Sequence, residues 1–359
     1  MGQEEDEQEV TTITVMVPAY NESVDIANTI RGLLAQSRVP DQILVIDDCS
    51  TDGTGDIARS FPVQVERPET NCGSKAIAQN WGMQFVTGDL VLPVDGDTVL
   101  SKTYIEEIVP YFESDPDLSV AAGCVLTQST KTVWEQGRMM EYLFGFHFYR
   151  LVQNAFSSPT VCSGCCTVFR TEWVIEFGGF PQRTMVEDID YTWSQQIMGR
   201  KALYIPDIVA YAAEPNSREF LCKQLNRWKS GWFQNVRQHW KGLLKSKKML
   251  ALWVSLNLYE ILASPILLMI PILLITGGLP WPLVIAMIII GEIVFFYPPI
   301  LYGCIKRKIP WWKPFVWYPS FFILKVHNFY YDVKCFVVEL VLVPLKLSSG
   351  LTTYVRGKA

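Results

Sequence analysis

Apolar residues come in short runs and at helical spacing through the first 220 positions, then almost without interruption from Leu250 onward. Thr12 to Pro18 is β-branched and apolar and ends at proline, the pattern of a buried strand. Asn21-Glu22-Ser23 can cap a following helix that carries Ile26, Ile30, Leu33 and Leu34 at helical spacing. Gln42 to Ile46, Val63 to Val65 and Leu90 to Val94 read as further strands. Asn71-Cys-Gly-Ser-Lys75 opens a helix with Ile77, Trp81 and Phe85. Strands alternating with helices in this way predict an open, mostly parallel, Rossmann-like α/β sheet. Residues 119–126 add a strand and 133–155 a helix crowded with aromatics. Val161 to Arg170 is a strand or loop containing Ser163-Gly164. Glu187-Asp-Ile-Asp190 reads as the first turn of a helix continuing through Trp193 and Ile197, where the dipole favours acids, so capping alone would explain them.

The last third predicts helices of another kind. Leu250 to Thr276 holds one acid, Glu260, and is longer than the about twenty residues a spanning helix needs. A Gly277-Gly-Leu-Pro-Trp-Pro turn leads to a second apolar stretch, about 282–304, again with one acid, Glu292. Residues 311–345 are apolar but interrupted by Pro314, Pro319, Lys325, His327, Asp332 and Lys334. They fit one tilted span, two short passes, or an interfacial helix followed by a span. Glu260 and Glu292 would face each other, a polar channel or a headgroup, or lie near an interface. The expected organisation is an acidic tail at 1–11, an α/β domain at 12–218, basic amphipathic helices at 219–248, a helical transmembrane or interfacial region at 249–345 and a basic tail at 346–359.

Composition sharpens this division. The 359 residues are 49% hydrophobic, with a formal net charge of −5. That average hides an asymmetry: residues 4–9 carry five acids, whereas residues 220–259 carry eight Lys/Arg and no acid. A basic run directly before an apolar stretch reads as a positive-inside flank meeting anionic headgroups, and nucleic acid is not expected as a partner. Nine scattered cysteines form no framework, so a reduced compartment is expected. Cys162, Cys165 and Cys166 are expected to be packing residues. His147, among aromatics, reads as a packed or interface histidine. The N-terminus has neither a basic n-region nor an apolar h-region, so no signal peptide is expected.

In an open α/β sheet, ligands bind beyond the carboxyl ends of the strands. Three predicted strands deliver polar clusters there: Tyr20 with Glu22, Asp47 with Asp48, and Asp95 with Asp97. Closely spaced aspartates suit Mg²⁺ or Mn²⁺ shared with phosphates. Neither G-x-G-x-x-G nor G-x-x-x-x-G-K-[ST] occurs, which argues against a dinucleotide oxidoreductase and a P-loop NTPase. A metal–diphosphate site of this kind suits a nucleotide-sugar enzyme. Glycosyl transfer needs a base for the acceptor hydroxyl, stabilisation of the departing diphosphate and a platform for the acceptor ring. Asp188, then Arg227 with Lys75, and Trp228 are the right residue types. On a helix Gln224, Arg227 and Trp228 share one face. A packed amphipathic helix with a buried Trp and a solvated Arg fits that spacing equally well.

Val17-Pro-Ala-Tyr-Asn-Glu22, Val45-Ile-Asp-Asp-Cys-Ser-Thr-Asp52, Asp95-Gly-Asp97, Glu187-Asp-Ile-Asp190-Tyr-Thr-Trp193 and Gln224-Leu-Asn-Arg-Trp228 occur in the order and spacing of family 2 glycosyltransferases. They resemble those of the membrane-embedded hyaluronan, chitin, cellulose and poly-N-acetylglucosamine synthases, over about residues 12–305. The Glu187 motif is most similar to the poly-N-acetylglucosamine branch. The resemblance implies a GT-A fold and an inverting transfer from a UDP-sugar at the cytoplasmic membrane face to a growing β-linked polysaccharide. By matching position, Pro18, Tyr20, Glu22 and Asp48 would line the uridine pocket, with Asp95 and Lys75 near ribose and diphosphate. Asp97 would hold the metal and Asp188, beside Glu187, would be the base. Arg227 would stabilise the diphosphate, Trp228 with Gln224 would floor the acceptor, and Ser163 and Gly164 would lie beside it.

Two departures from those synthases bear on the product. No apolar span precedes the α/β domain, so a polymer channel would need the short C-terminal region and a second copy or partner subunit. The motif at Gln224 also lacks the Arg often found before the Arg-Trp pair. Transfer of one sugar to a lipid-linked or oligosaccharide acceptor is therefore the alternative, and a non-catalytic membrane binding or transport subunit is the alternative of another class.

Overall fold

A computed structural model describes residues 11–351, with the backbone alone at residues 264–268. Residues 1–10 of the expected acidic tail and 352–359 of the basic tail lie outside the described residues. In chain order the elements are β1 (Ile13–Ala19), α1 (Ile26–Leu34), β2 (Gln42–Asp47), α2 (Thr54–Arg59), β3 (Gln64–Glu66), α3 (Lys75–Gly82), β4 (Leu90–Pro93), β5 (Thr98–Leu100), α4 (Tyr104–Ser114) and β6 (Leu118–Thr127). There follow α5 (Val133–Phe144), a π-turn at Gly145–Tyr149, α6 (Arg150–Ala155), β7 (Thr167–Arg170), α7 (Thr171–Glu176), α8 (Glu187–Ile197) and β8 (Lys201–Ala212). The C-terminal helices are α9 (Arg218–Ser246), α10 (Lys248–Thr276), α11 (Trp281–Lys306) and α12 (Lys313–Phe336), the last running on into a π-turn at Val337–Leu342.

The chain divides into two compact units. The first runs to Ala121 and takes in Gly164–Phe180; the second holds Ala122–Ser163 and everything from Pro181. In the first, β3, β2, β1 and β4 lie side by side and parallel, with Ala19 opposite Asp47 and Met16 opposite Pro93. Continuous apolar runs suit strands covered on both faces. Ile13, Val15, Met16 and Val17 of β1 and Leu44, Val45 and Ile46 of β2 are accordingly fully buried. The expected mostly parallel sheet is mixed, because β7 joins β4 antiparallel, with Leu90 opposite Arg170. Arg170 fixes that strand from its end by donating to the carbonyls of Phe112, Asp115 and Leu118. Apolar pattern carries no sign of strand direction in a strand of four residues.

The helix after β1 is not capped as expected. It begins at Ile26 with Asp25 at the N-cap position and no side-chain cap bond, so Asn21 and Ser23 fall before the cap position. Asn21 accepts from the Thr51 amide at 2.9 Å, and the Ser23 amide donates to Asp52 at 3.0 Å. These bonds tie the loop after β1 to the loop after β2.

In the second unit α5 starts with a capping box between Thr132 and Glu135, and α9 with Ser217 accepting from the Phe220 amide. The interrupted segment after Ile309 forms one helix, α12, whose polar residues share one side. From that side Ser320 bonds Gln136 of α5, Lys325 pairs with Glu292 of α11, Asn328 donates to Glu141 of α5 and Asp332 pairs with Lys229 of α9. Beyond them Glu339 accepts from Gln234 of α9. Phe315, Val316, Phe322, Val326 and Tyr330 remain exposed. Lys325 is the partner of Glu292 and Tyr149 that of Glu260, so the two helix acids do not pair with each other. Among the described residues one helix, α11, is long and apolar enough by composition to cross a membrane.

Candidate active site

One group of candidate site residues lies in the first unit, at the carboxyl ends of β1, β2 and β4. The Asp48 amide donates to Ala19 and the Val94 amide to Met16, which sets the three exits level. A Cβ on Gly96 would stand 3.1 Å from Glu22 Cγ, so glycine lets the loop after β1 approach the Asp95-Gly96-Asp97 turn. Pro18, Tyr20, Glu22, Asp95 and Asp97 are half-buried there. Asp48 is fully buried: its carboxylate accepts from the Cys72 amide at 2.6 Å and from Asn71 Nδ2 at 3.1 Å. Asp47 serves the scaffold instead, accepting from Arg67 at 2.5 Å and from the Ser50 amide at 3.0 Å.

Lys75 brings a cation to this group. Ser74 caps α3 by accepting from the Ile77 amide, and that places Lys75 in the first turn. Its ammonium lies 2.5 Å from Asp95 and donates to the Gly164 carbonyl at 3.0 Å. Gly164 therefore belongs to the surroundings of Lys75, and Ser163 is half-buried just before it in sequence. Among the described residues no group of three His, Cys, Asp or Glu could hold a metal by itself. A magnesium-type ion is ordinarily held by one or two carboxylates with phosphate oxygens completing the set. With Lys75 on Asp95, Asp97 is the carboxylate that fits that role.

A second group of candidate residues lies in the other unit. Glu187, buried, and Asp188, half-buried, begin α8. Asp188 accepts from the Ile189 amide at 2.8 Å. Asp190, one turn in, is fully buried and anchors the helix: Arg183 donates at 2.7 and 2.9 Å, and His239 Nε2 of α9 stands 2.7 Å away. Burial alone would raise its pKa, but the His239 and Arg183 hydrogen bonds hold it below the usual carboxylate value. A Cβ on Gly231 would come 2.5 Å from Val186, so α9 reaches its close approach to the start of α8 through a glycine.

Gln224, Arg227 and Trp228 occupy one stretch of α9 and are all half-buried. Trp228 packs on the cluster of Val186, Ile189 and Trp193, the residues flanking Asp188 and Asp190. Sequence reasoning missed what lies beneath: Arg138 of α5, 2% exposed, with Glu214 and Glu141. Asp190, His239, Asn71 and Cys72 were also given no role. His147 is buried and bonded within its own helix to the Leu143 carbonyl, and burial pushes its pKa down to about 4. It packs and does not belong to the site. Cys162 and Cys166 are buried.

A parallel sheet with acids gathered at its strand ends, followed by an antiparallel strand and an acidic helix start, defines the GT-A type of glycosyltransferase. Residues 14–178 match the model of Glycosyl transferase family 2 and form a family 2 glycosyltransferase domain. The chain is similar to the poly-beta-1,6-N-acetyl-D-glucosamine synthase of Staphylococcus aureus (strain COL), 24% identical over 245 residues, 67% of this chain and 59% of that protein. The Staphylococcus epidermidis enzyme of the same name is 24% identical over 246 residues, 67% of this chain and 60% of that protein. The matched segment thus spans less than two thirds of these relatives' length. Among solved structures the fold is similar to that of the mannosyltransferase PcManGT from Pyrobaculum calidifontis in complex with GDP-Man and Mn2+. The TM-score is 0.63 at 19% identity, over 89% of this chain and 88% of that one.

Proposed function

We propose that the chain transfers N-acetylglucosamine from its UDP donor to a growing β-linked saccharide, inverting the anomeric centre, at the cytoplasmic face of a membrane. The observation that carries this reading is the convergence of Tyr20, Glu22, Asp48, Asp95 and Asp97 at three parallel strand exits, with Lys75 paired to Asp95. Pro18 and Tyr20 would flank the uracil and Asp48 would receive its N–H. Lys75 and Arg227 would stabilise charge on the diphosphate. A divalent cation held by Asp97 would neutralise the same oxygens when bound.

Asp188 would take the acceptor hydroxyl proton. The freed oxygen pair attacks C1, the C1–O bond to UDP breaks on the opposite side, and the β-linkage forms without a covalent enzyme intermediate. Glu187 would support the helix start, Trp228 and Gln224 would receive the acceptor ring, and Ser163 and Gly164 would contribute to acceptor binding. Similarity to poly-N-acetylglucosamine synthases favours that donor sugar and a saccharide acceptor. Helix α11 and the basic run at residues 220–259 support a bilayer partner. The same two features suit a lipid-linked acceptor receiving one sugar. A screen of UDP release across donors tests the reading: release with UDP-N-acetylglucosamine above all other donors is expected, and release with none would overturn it.

A further inference from the structure

We propose that Arg138 is the positioning residue of the acceptor platform, holding Gln224 and Trp228 in register from beneath; this rests on reading Trp228 as the acceptor floor. Arg138 projects from α5, and only 2% of its side chain is exposed. One guanidinium nitrogen donates to Gln224 Oε1 at 2.7 Å. Another pairs with Glu141, and Nε stands 3.4 Å from Glu214. The guanidinium carbon lies 4.9 Å from the centroid of the Trp228 ring, within cation–π reach. Gln224 and Trp228 are one helical turn apart, so a single planar group contacts both through two different interactions.

The surroundings fix that group firmly. Glu214 accepts from Gln224 Nε2 at 3.2 Å and from the Tyr142 hydroxyl. Asn328 of α12 donates to Glu141 at 2.8 Å. Burial alone would disfavour the charge on Arg138, but Glu141 and Glu214 push its pKa upward, so the cation persists at every accessible pH. A buried cation inside the bundle has no need of a half-buried tryptophan for its own neutralisation, since two carboxylates already supply that. Its placement against Trp228 is therefore a constraint on the ring. Lysine cannot reproduce it: an ammonium on a flexible stem cannot meet Gln224 and Glu214 while also lying over an indole.

The experiment compares wild type, Arg138→Lys, Trp228→Ala and the double variant, purified in detergent. UDP-N-acetylglucosamine and Mn²⁺ are varied against an N-acetylglucosamine pentasaccharide as acceptor. Arg138→Lys is expected to raise the acceptor KM about tenfold and to leave the donor KM within about twofold. In the Trp228→Ala background the same change should add less than about twofold, because the two residues act as one unit. An unchanged acceptor KM in Arg138→Lys, or full additivity, overturns the proposal. If Trp228→Ala itself leaves the acceptor KM unchanged, the floor reading fails first and the proposal with it. Should Arg138→Lys not fold, Tyr142→Phe, which removes one bond to Glu214, is expected to raise the acceptor KM about threefold at unchanged donor KM. No change in that variant overturns the proposal as well.

Discussion

Lys75 and Asp95 form an ion pair of 2.5 Å at the mouth of the parallel sheet, joining the first turn of α3 to the turn after β4. Lysine 14% and aspartate 38% exposed leave the pair within reach of an incoming diphosphate. Lys75→Met should then weaken donor binding by about 2 kcal/mol, roughly thirtyfold in donor KM. Steady-state kinetics at saturating acceptor check this, and an unchanged donor KM would remove Lys75 from the donor site.

Asp188→Asn keeps size and hydrogen bonding but cannot take a proton. Transfer should fall about 10²–10⁴-fold, while UDP binding measured by calorimetry stays within about twofold of wild type. Near-normal turnover in this variant would eliminate Asp188 as the base.

How much of this could be read from the sequence depended on whether a residue's partner was near in the chain. The strand exits at Tyr20, Asp48 and Asp95 follow apolar runs immediately, and parallel pairing brings them together without further information. Gln224 and Trp228 likewise sit four apart on one helix. Arg138 pairs with Gln224 across 86 positions and Asp190 with His239 across 49. No local pattern marks a buried Arg, since an exposed one has the same spacing. The polar stripe of α12 was read as interruptions of a span because its partners on α11, α9 and α5 lie 33 to 187 positions away. The antiparallel direction of β7 was hidden for want of length.

Asp190 makes the fold sensitive to acid. Its folded pKa lies below the unfolded value of about 3.9, so its contribution is complete above that pH and is lost as pH falls through the lower folded value. Asp190→Asn should cost about 2–3 kcal/mol at neutral pH, because Arg183 and His239 lose their shared acceptor. It should also shallow the stability loss below about pH 4. Thermal melts of both proteins between acid and neutral pH check this, and parallel curves would contradict the anchoring role.

Asp97 is expected to hold the divalent ion together with the donor phosphates. Chelation with EDTA should abolish transfer and added Mn²⁺ should restore it. Asp97→Asn should lose Mn²⁺ binding in the presence of UDP, followed by electron paramagnetic resonance. Equal Mn²⁺ binding by the variant would assign the metal elsewhere.

Membrane attachment is expected through α11 and its exposed Ile288, Ile289, Ile290, Val294 and Phe295. The protein should stay with vesicles after an alkaline carbonate wash, and Ile289→Asp with Val294→Asp should release much of it. Complete release of the wild type by that wash would contradict insertion.

The most direct test is to incubate the detergent-purified protein with radiolabelled UDP-N-acetylglucosamine and Mn²⁺, then size the product and determine its linkage. The account predicts a β-linked N-acetylglucosamine saccharide longer than any acceptor supplied, absent from the Asp188→Asn reaction. Free sugar alone, or a lipid carrying a single residue, would contradict it.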